Sequence, residues 1–333
     1  MRSLIHALIS KSRLSSLVLL LLILSGCSGK LPPADMSRTL YLPISESVDE
    51  NKFIPYFESF GTERAYNRIG TPVAAGDGAQ PEQVFVDPSR PAIFTERRLF
   101  STSRGFYTNL IHRIHFSEIP TSIFPFYLGA GKNIGLFVIV TLNSSAEPLL
   151  YTIVHTCGCY LAFIPTSYLW PEAFPASWSL QTQGVYGETL PGLLDLHNPL
   201  LTDFRVGLKI RNETHRVMDV TIEPEQKLRS NPHVPMQIKP LAALENLQDH
   251  ASEPVSFFEQ SGARKDYVKE SGKMWERILM SWWALDWRIG EDKRLGKDAA
   301  DGLVFYTSIK PWQRVNSDMR NFSRFLNYWG WKL

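Results

Sequence analysis

Cysteine is nearly absent from this chain: among 333 residues only Cys27, Cys157 and Cys159 occur. Three thiols cannot build the multi-bridge framework of a small secreted scaffold, so the fold must rest on packing. A hydrophobic content of 44% is ample for that. Charge of one sign is missing too. Lys and Arg number 35 against 33 Asp and Glu, a balance that gives no footprint for a nucleic-acid partner. The unbroken apolar run from Leu17 to Leu24 rises only about 12 Å as a helix, against a hydrocarbon core of roughly 30 Å, so it cannot span a bilayer. The chain also lacks internal repeats, low-complexity tracts and coiled-coil heptads.

Familiar catalytic signatures are absent as well. There is no Gly-x-Ser-x-Gly elbow, no His-Glu-x-x-His and no paired-cysteine zinc pattern. The stretch Gly129 to Gly135, GAGKNIG, has the glycines of a phosphate loop but precedes a predicted strand instead of opening a helix. It therefore reads as a turn into a sheet. No residue is assigned a catalytic role.

What is present begins with an address. Arg2, Lys11 and Arg13 precede the apolar run, which ends in Leu24-Ser25-Gly26-Cys27. This is the layout of a secretion signal. Leu-Ser-Gly-Cys resembles the lipobox of bacterial lipoproteins. The resemblance implies removal of residues 1–26 and acylation of Cys27 on its sulfur and its new amino group, and three acyl chains make a stable anchor. Ser28 follows, where an aspartate is the usual inner-membrane retention signal, so the implied location is the outer membrane, facing the periplasm. Cleavage takes away three basic side chains and lowers the basic count from 35 to 32, against 33 acidic. The expected organisation is a signal peptide over 1–26, the lipidated cysteine and a spacer over 27–43, and a single globular domain over 44–333.

Within that domain the apolar period is mostly two from Glu82 to Ile222. Phe106 to Phe116 alternates as a strand, and Ile134–Leu142 and Leu149–Ile164 read as two central strands joined by a hairpin at NSSAEP. DFRVGLKIR and Met218–Ile222 make a further hairpin. Met274 to Ile289 has apolar residues at helical spacing, and a second helix is predicted after Ser317 as N-cap. LVFYTSI between the two reads as a strand. The expected fold class is α+β, with an antiparallel, sandwich-like β body over about 80–225. A helical part follows over about 240–333 and carries two amphipathic, Trp-rich helices.

Two features compete for function. On a regular strand His155, Cys157 and Cys159 project from one face in line with Tyr151, Ile153, Leu161 and Phe163. Imidazole and two thiolates suit zinc or copper(I), with His112 or His115 from a neighbouring strand completing a tetrahedron. The same residues could form a redox pair, or a cysteine nucleophile with His155 as its base. Positions two apart on a strand lie nearly 7 Å from one another, so either paired chemistry needs a bend at Gly158. The apolar flanks favour a plain core row with two free thiols. The second feature is tryptophan. Seven of the nine, Trp275, Trp282, Trp283, Trp287, Trp312, Trp329 and Trp331, fall in the last 59 residues. They would pack both helices on the sheet, or form a platform for envelope glycan, or lie in a membrane interface. The functional expectation is an envelope lipoprotein with a membrane, protein or glycan partner and a binding or assembly role. A metal or thiol-redox protein and an envelope enzyme acting on cell-wall glycan are the alternatives.

Overall fold

Alternation of period two makes one face of each strand apolar, and ten such strands share a single sheet in the computed structural model. It describes residues 35–44, 53–75, 83–197, 203–247 and 254–333. The strands in chain order are β1 (Arg38–Ile44), β2 (Tyr56–Phe60), β3 (Thr71–Ala75), β4 (Gln83–Asp87), β5 (Ala92–Thr102), β6 (Gly105–Ile119) and β7 (Gly131–Leu142). After them come β8 (Pro148–His155), β9 (Leu161–Pro165), β10 (Thr182–Val185), β11 (Glu188–Pro191), β12 (Phe204–Ile210), β13 (Val217–Pro224) and β14 (Val234–Pro240). The helices are α1 (Glu225–Ser230), α2 (Met274–Ala284) and α3 (Phe322–Tyr328).

The order across the sheet is β13-β12-β2-β1-β14-β5-β6-β7-β8-β9. It curls so that residues from all ten strands meet in one core: Tyr41, Phe57, Ile93, Ile114, Val138, Ile153, Ile164, Leu208, Val220 and Met236 are all buried there. The arms also touch directly, as Tyr160 Oη donates to the Val217 carbonyl at 3.0 Å. A second core covers the outer face of β6 to β9. Ile111, Phe137, Ile139, Leu150, Val154 and Phe163 pack there against Phe305, Met319, Phe322, Phe325, Leu326 and Trp331 of the C-terminal segment. Fully burying a side chain of this size contributes about 1.5–3 kcal/mol, so the last thirty residues belong to the fold.

The α+β class holds, with refinements. The antiparallel expectation describes β5 through β9, whereas β1 with β14, β14 with β5, and β12 with β2 run parallel. The sheet spans Arg38 to Pro240 rather than about 80–225. The spacer predicted to reach Pro43 is shorter, because Tyr41 and Leu42 are buried in the sheet as part of β1. LVFYTSI makes only an isolated bridge, Tyr306 to Asp318. The N-cap of α3 is Asn321, whose side chain accepts from Arg324 N, while Ser317 is spent on the backbone of Ser308. Cys27 and the signal segment lie outside the described residues. Among the described residues no helix is long and apolar enough to cross a membrane.

Candidate functional site

The predicted row of His155, Cys157 and Cys159 is not a row. β8 ends at His155, and Thr156 to Tyr160 turn the chain into β9. The turn is closed by Gly158 N donating to the His155 carbonyl at 2.7 Å and His155 N donating to the Tyr160 carbonyl at 3.1 Å. Gly158 has a φ of +81°, and a Cβ there would lie 2.3 Å from the Tyr306 carbonyl oxygen, so both the conformation and the space require glycine. This bend brings the sulfurs together, and Cys157 and Cys159 form a disulfide across it. The core reading with two free thiols is thereby corrected: the cysteines sit at a turn, where the chain reverses and the spacing of an extended strand no longer applies.

The ligand-capable atoms of His155, Cys157 and Cys159 lie within 4.8 Å of one another, an arrangement able to hold a metal ion. His112 does not join them, which corrects the predicted fourth ligand. It stands on β6 opposite Val138 of β7, and β7 separates it from β8 by two ladder spacings, about 9–10 Å. His115 points to the other face of β6, where its Nε2 accepts from Arg113 Nε at 2.8 Å. His155 is buried on the inner face, and its Nε2 lies 3.1 Å from the His215 carbonyl oxygen. Burial holds its imidazole well below the ordinary range, and the positive charges of Lys273 and Arg216 add to this.

Sequence reasoning missed what surrounds the turn. The segment Gly290 to Lys293 lies against it: Lys293 N donates to the Thr156 carbonyl at 2.9 Å, and Lys293 Nζ donates to the Cys157 carbonyl at 3.0 Å. Lys293 is fully buried, which lowers its ammonium to about 8. Asp292 accepts from Thr156 Oγ1 and forms an ion pair with Lys273 at 3.3 Å, both side chains fully buried. Glu276, one helical turn from Lys273, is buried with its carboxyl raised above the usual range by burial. Gly290, with φ +79°, makes room for it, since a Cβ there would overlap the carboxylate. Arg277 and Arg264 both pair with the buried Glu291, at 2.5 and 2.6 Å. The one signal available in sequence was the dense charge of Glu291 to Arg294 directly after an apolar helix.

These ion pairs orient α2 against expectation. Glu276 of α2 and Lys273 at its N-cap face inward, and most of its large apolar residues face out. Trp282 is 83% exposed and Trp283 75%, and Met274, Ile278, Leu279, Leu285 and Trp287 are exposed with them. The expectation that both C-terminal helices bury their aromatic faces therefore holds for α3, with Phe322, Phe325 and Leu326 buried, and fails for α2. Two loops extend the apolar surface. The Phe126 ring packs on Trp275 at 5.5 Å, and next to it Ile123 and Phe124 are exposed, Phe124 at 93%. Arg314 donates to the Ala284 carbonyl, which places exposed Trp312 and Val315 beside the C-terminal end of α2. No protein-family model, curated protein or solved structure matches the chain.

Proposed function

We propose that this chain is a lipid-anchored protein of the bacterial envelope, placed in the outer membrane facing the periplasm, whose role is binding or assembly rather than catalysis. One observation supports the binding role above the others: α2 turns Trp282 and Trp283 to solvent while burying Glu276. Apolar patches of this extent are uncommon on soluble monomers and mark contact surfaces. The anchor rests on Leu24-Ser25-Gly26-Cys27. Replacing Cys27 with alanine is expected to abolish labelling by radioactive palmitate and to leave an uncleaved precursor. Normal processing of that variant would sink the anchor.

A second reading is favoured by the turn itself. Cys157 and Cys159 act as a redox pair, and their reduced form, with His155, offers three soft ligands for zinc or copper(I). The two states exclude each other, because a disulfide sulfur is not a thiolate ligand. Thiol titration of unfolded protein from the envelope is expected to find no thiol at Cys157 and Cys159 before reduction and two after it, with no stoichiometric metal. Two thiols before reduction, with one zinc or copper per chain, would reverse the order of the two states.

A further inference from the structure

We infer that the outward face of α2, with the Ile123–Phe126 loop and the Trp312 loop, rests in the interface of a phospholipid bilayer. It would be a second membrane contact, beside the anchor, that seats the domain on the leaflet holding Cys27. This deepens the proposed function, and the choice of leaflet rests on the lipid anchor.

The first argument is position. Chain entry and the Phe126 loop lie at one end of the sheet: β1 runs parallel to β14 and β14 to β5, and β5 is antiparallel to β6, so Arg38 starts at the end where β6 stops at Ile119 and β7 begins at Gly131. Met36 packs at Gly61, whose N–H donates to the Ser37 carbonyl at 2.7 Å. Asn67 donates to the Gly61 carbonyl at 2.9 Å, and its Oδ1 accepts from Glu213 N at 2.6 Å. The Glu213 carboxylate accepts from Tyr127 Oη, and Tyr127 directly follows Phe126, which packs on Trp275. Contacts thus run without a gap from the first described residues to α2. Cys27 and Asp35 are eight residues apart, a reach of at most about 28 Å, so an acylated Cys27 holds this end of the body close to the lipid.

The second argument is chemistry. The exposed surface contains Trp282, Trp283, Trp287, Trp312 and Phe124, and tryptophan prefers the headgroup zone, where its ring is apolar and its N–H stays wet. The most exposed charges beside it are basic. Lys310 is exposed and Arg288 half-buried, while Arg277 and Arg314 are paired with Glu291 and Asp286, and of the acidic residues on α2 and its extension Glu276 is buried and Asp286 is held by Tyr306 as well. No acidic residue occurs in 120–128 or 309–316. A basic rim around an aromatic face complements anionic lipid headgroups.

The test uses the unlipidated chain from Ser28 onward, which keeps every described residue, with vesicles of phosphatidylethanolamine and phosphatidylglycerol at three to one. The chain is expected to float with the vesicles, and lipids brominated on the acyl chain should quench part of its tryptophan fluorescence. The combined variant F124S, W282S and W283S should partition about tenfold less or weaker still, with an unchanged circular dichroism spectrum, because all three side chains are exposed. L99S, equally exposed but on β5, should float like the parent. Absence of parent binding, or full binding by the triple variant, would overturn the inference. So would concentration-dependent dimerisation that the triple variant abolishes, since the face would then be covered by a second copy. The measurement needs no acyl chain, so its failure is separable from a failure of palmitate labelling at Cys27.

Discussion

Acidification from pH 7 to about pH 3.5 is expected to unfold the β body. His112 is buried on the inner face of β6, neither ring nitrogen has a hydrogen-bond partner among the described residues, and burial pushes its imidazole down to about 3. His215 is likewise buried and pushed down to about 3. In the unfolded chain both titrate near 6.5. Between 6.5 and about 3 the unfolded state binds more protons, so stability is fully present above 6.5 and falls as pH falls. Each histidine costs about 1.4 kcal/mol per pH unit in that window, so the pair removes about 5 kcal/mol by pH 4.5. That is comparable with the whole stability of a typical domain, about 5–15 kcal/mol. His115 and His155 are shifted in the same direction by burial. Glu276 is raised and opposes them, as one group against four. Circular dichroism across an acid titration should show a cooperative transition, and a body still folded at pH 3.5 would contradict the argument. His112→Leu removes a buried polar ring that has no partner, so it should be neutral or stabilising at pH 7 and move the acid midpoint lower.

Asp292→Ala is expected to be the most damaging single substitution in the polar cluster. It leaves the fully buried Lys273 ammonium without its carboxylate and removes the acceptor of Thr156 Oγ1 at the disulfide turn. Removing one partner of a buried ion pair typically costs 3–5 kcal/mol, because the remaining charge stays out of water. Replacing both ions, as in Lys273→Met with Asp292→Leu, should recover most of that cost, since an apolar pair of similar size needs no desolvation of charge. Urea unfolding of the parent, the single and the double variant at pH 7 measures all three. If the single and double variants lose the same stability, the cost lies in the Thr156 contact and not in the unpaired lysine.

The meander from β5 to β9 was legible because its signal is local. Strict alternation through Phe106–Phe116 and the apolar run Ile134–Leu142 define strands, and a short polar link makes two neighbours antiparallel. The parallel centre was not legible, since β1 and β14 pair across nearly two hundred residues and neither carries a mark of its partner. The disulfide turn was half legible: Gly158 was recognised as the only place to bend, but the break of β8 at His155 depends on Lys293 and Asp292, which arrive from far along the chain. The orientation of α2 was misread for the same kind of reason. Helical spacing reveals that an apolar face exists, and only the positions of Asp292 and Glu291 decide that the charged side faces in.

The placement of β14 sets an order of assembly. It lies between β1 and β5, parallel to both, and follows every other strand of the sheet in sequence. A chain that emerges amino end first can close β1 on β2 and zip β5 through β9 as local hairpins, yet these remain two half-sheets with facing open edges. Only when Val234–Pro240 arrives do they become one, so the sheet is stitched at its middle by its last strand. Long-range parallel pairing of this kind is slow, and until it occurs the β1 and β5 edges stand open to other chains. Anchoring the amino end first would hold many such half-finished sheets on one surface, where their open edges can pair between chains.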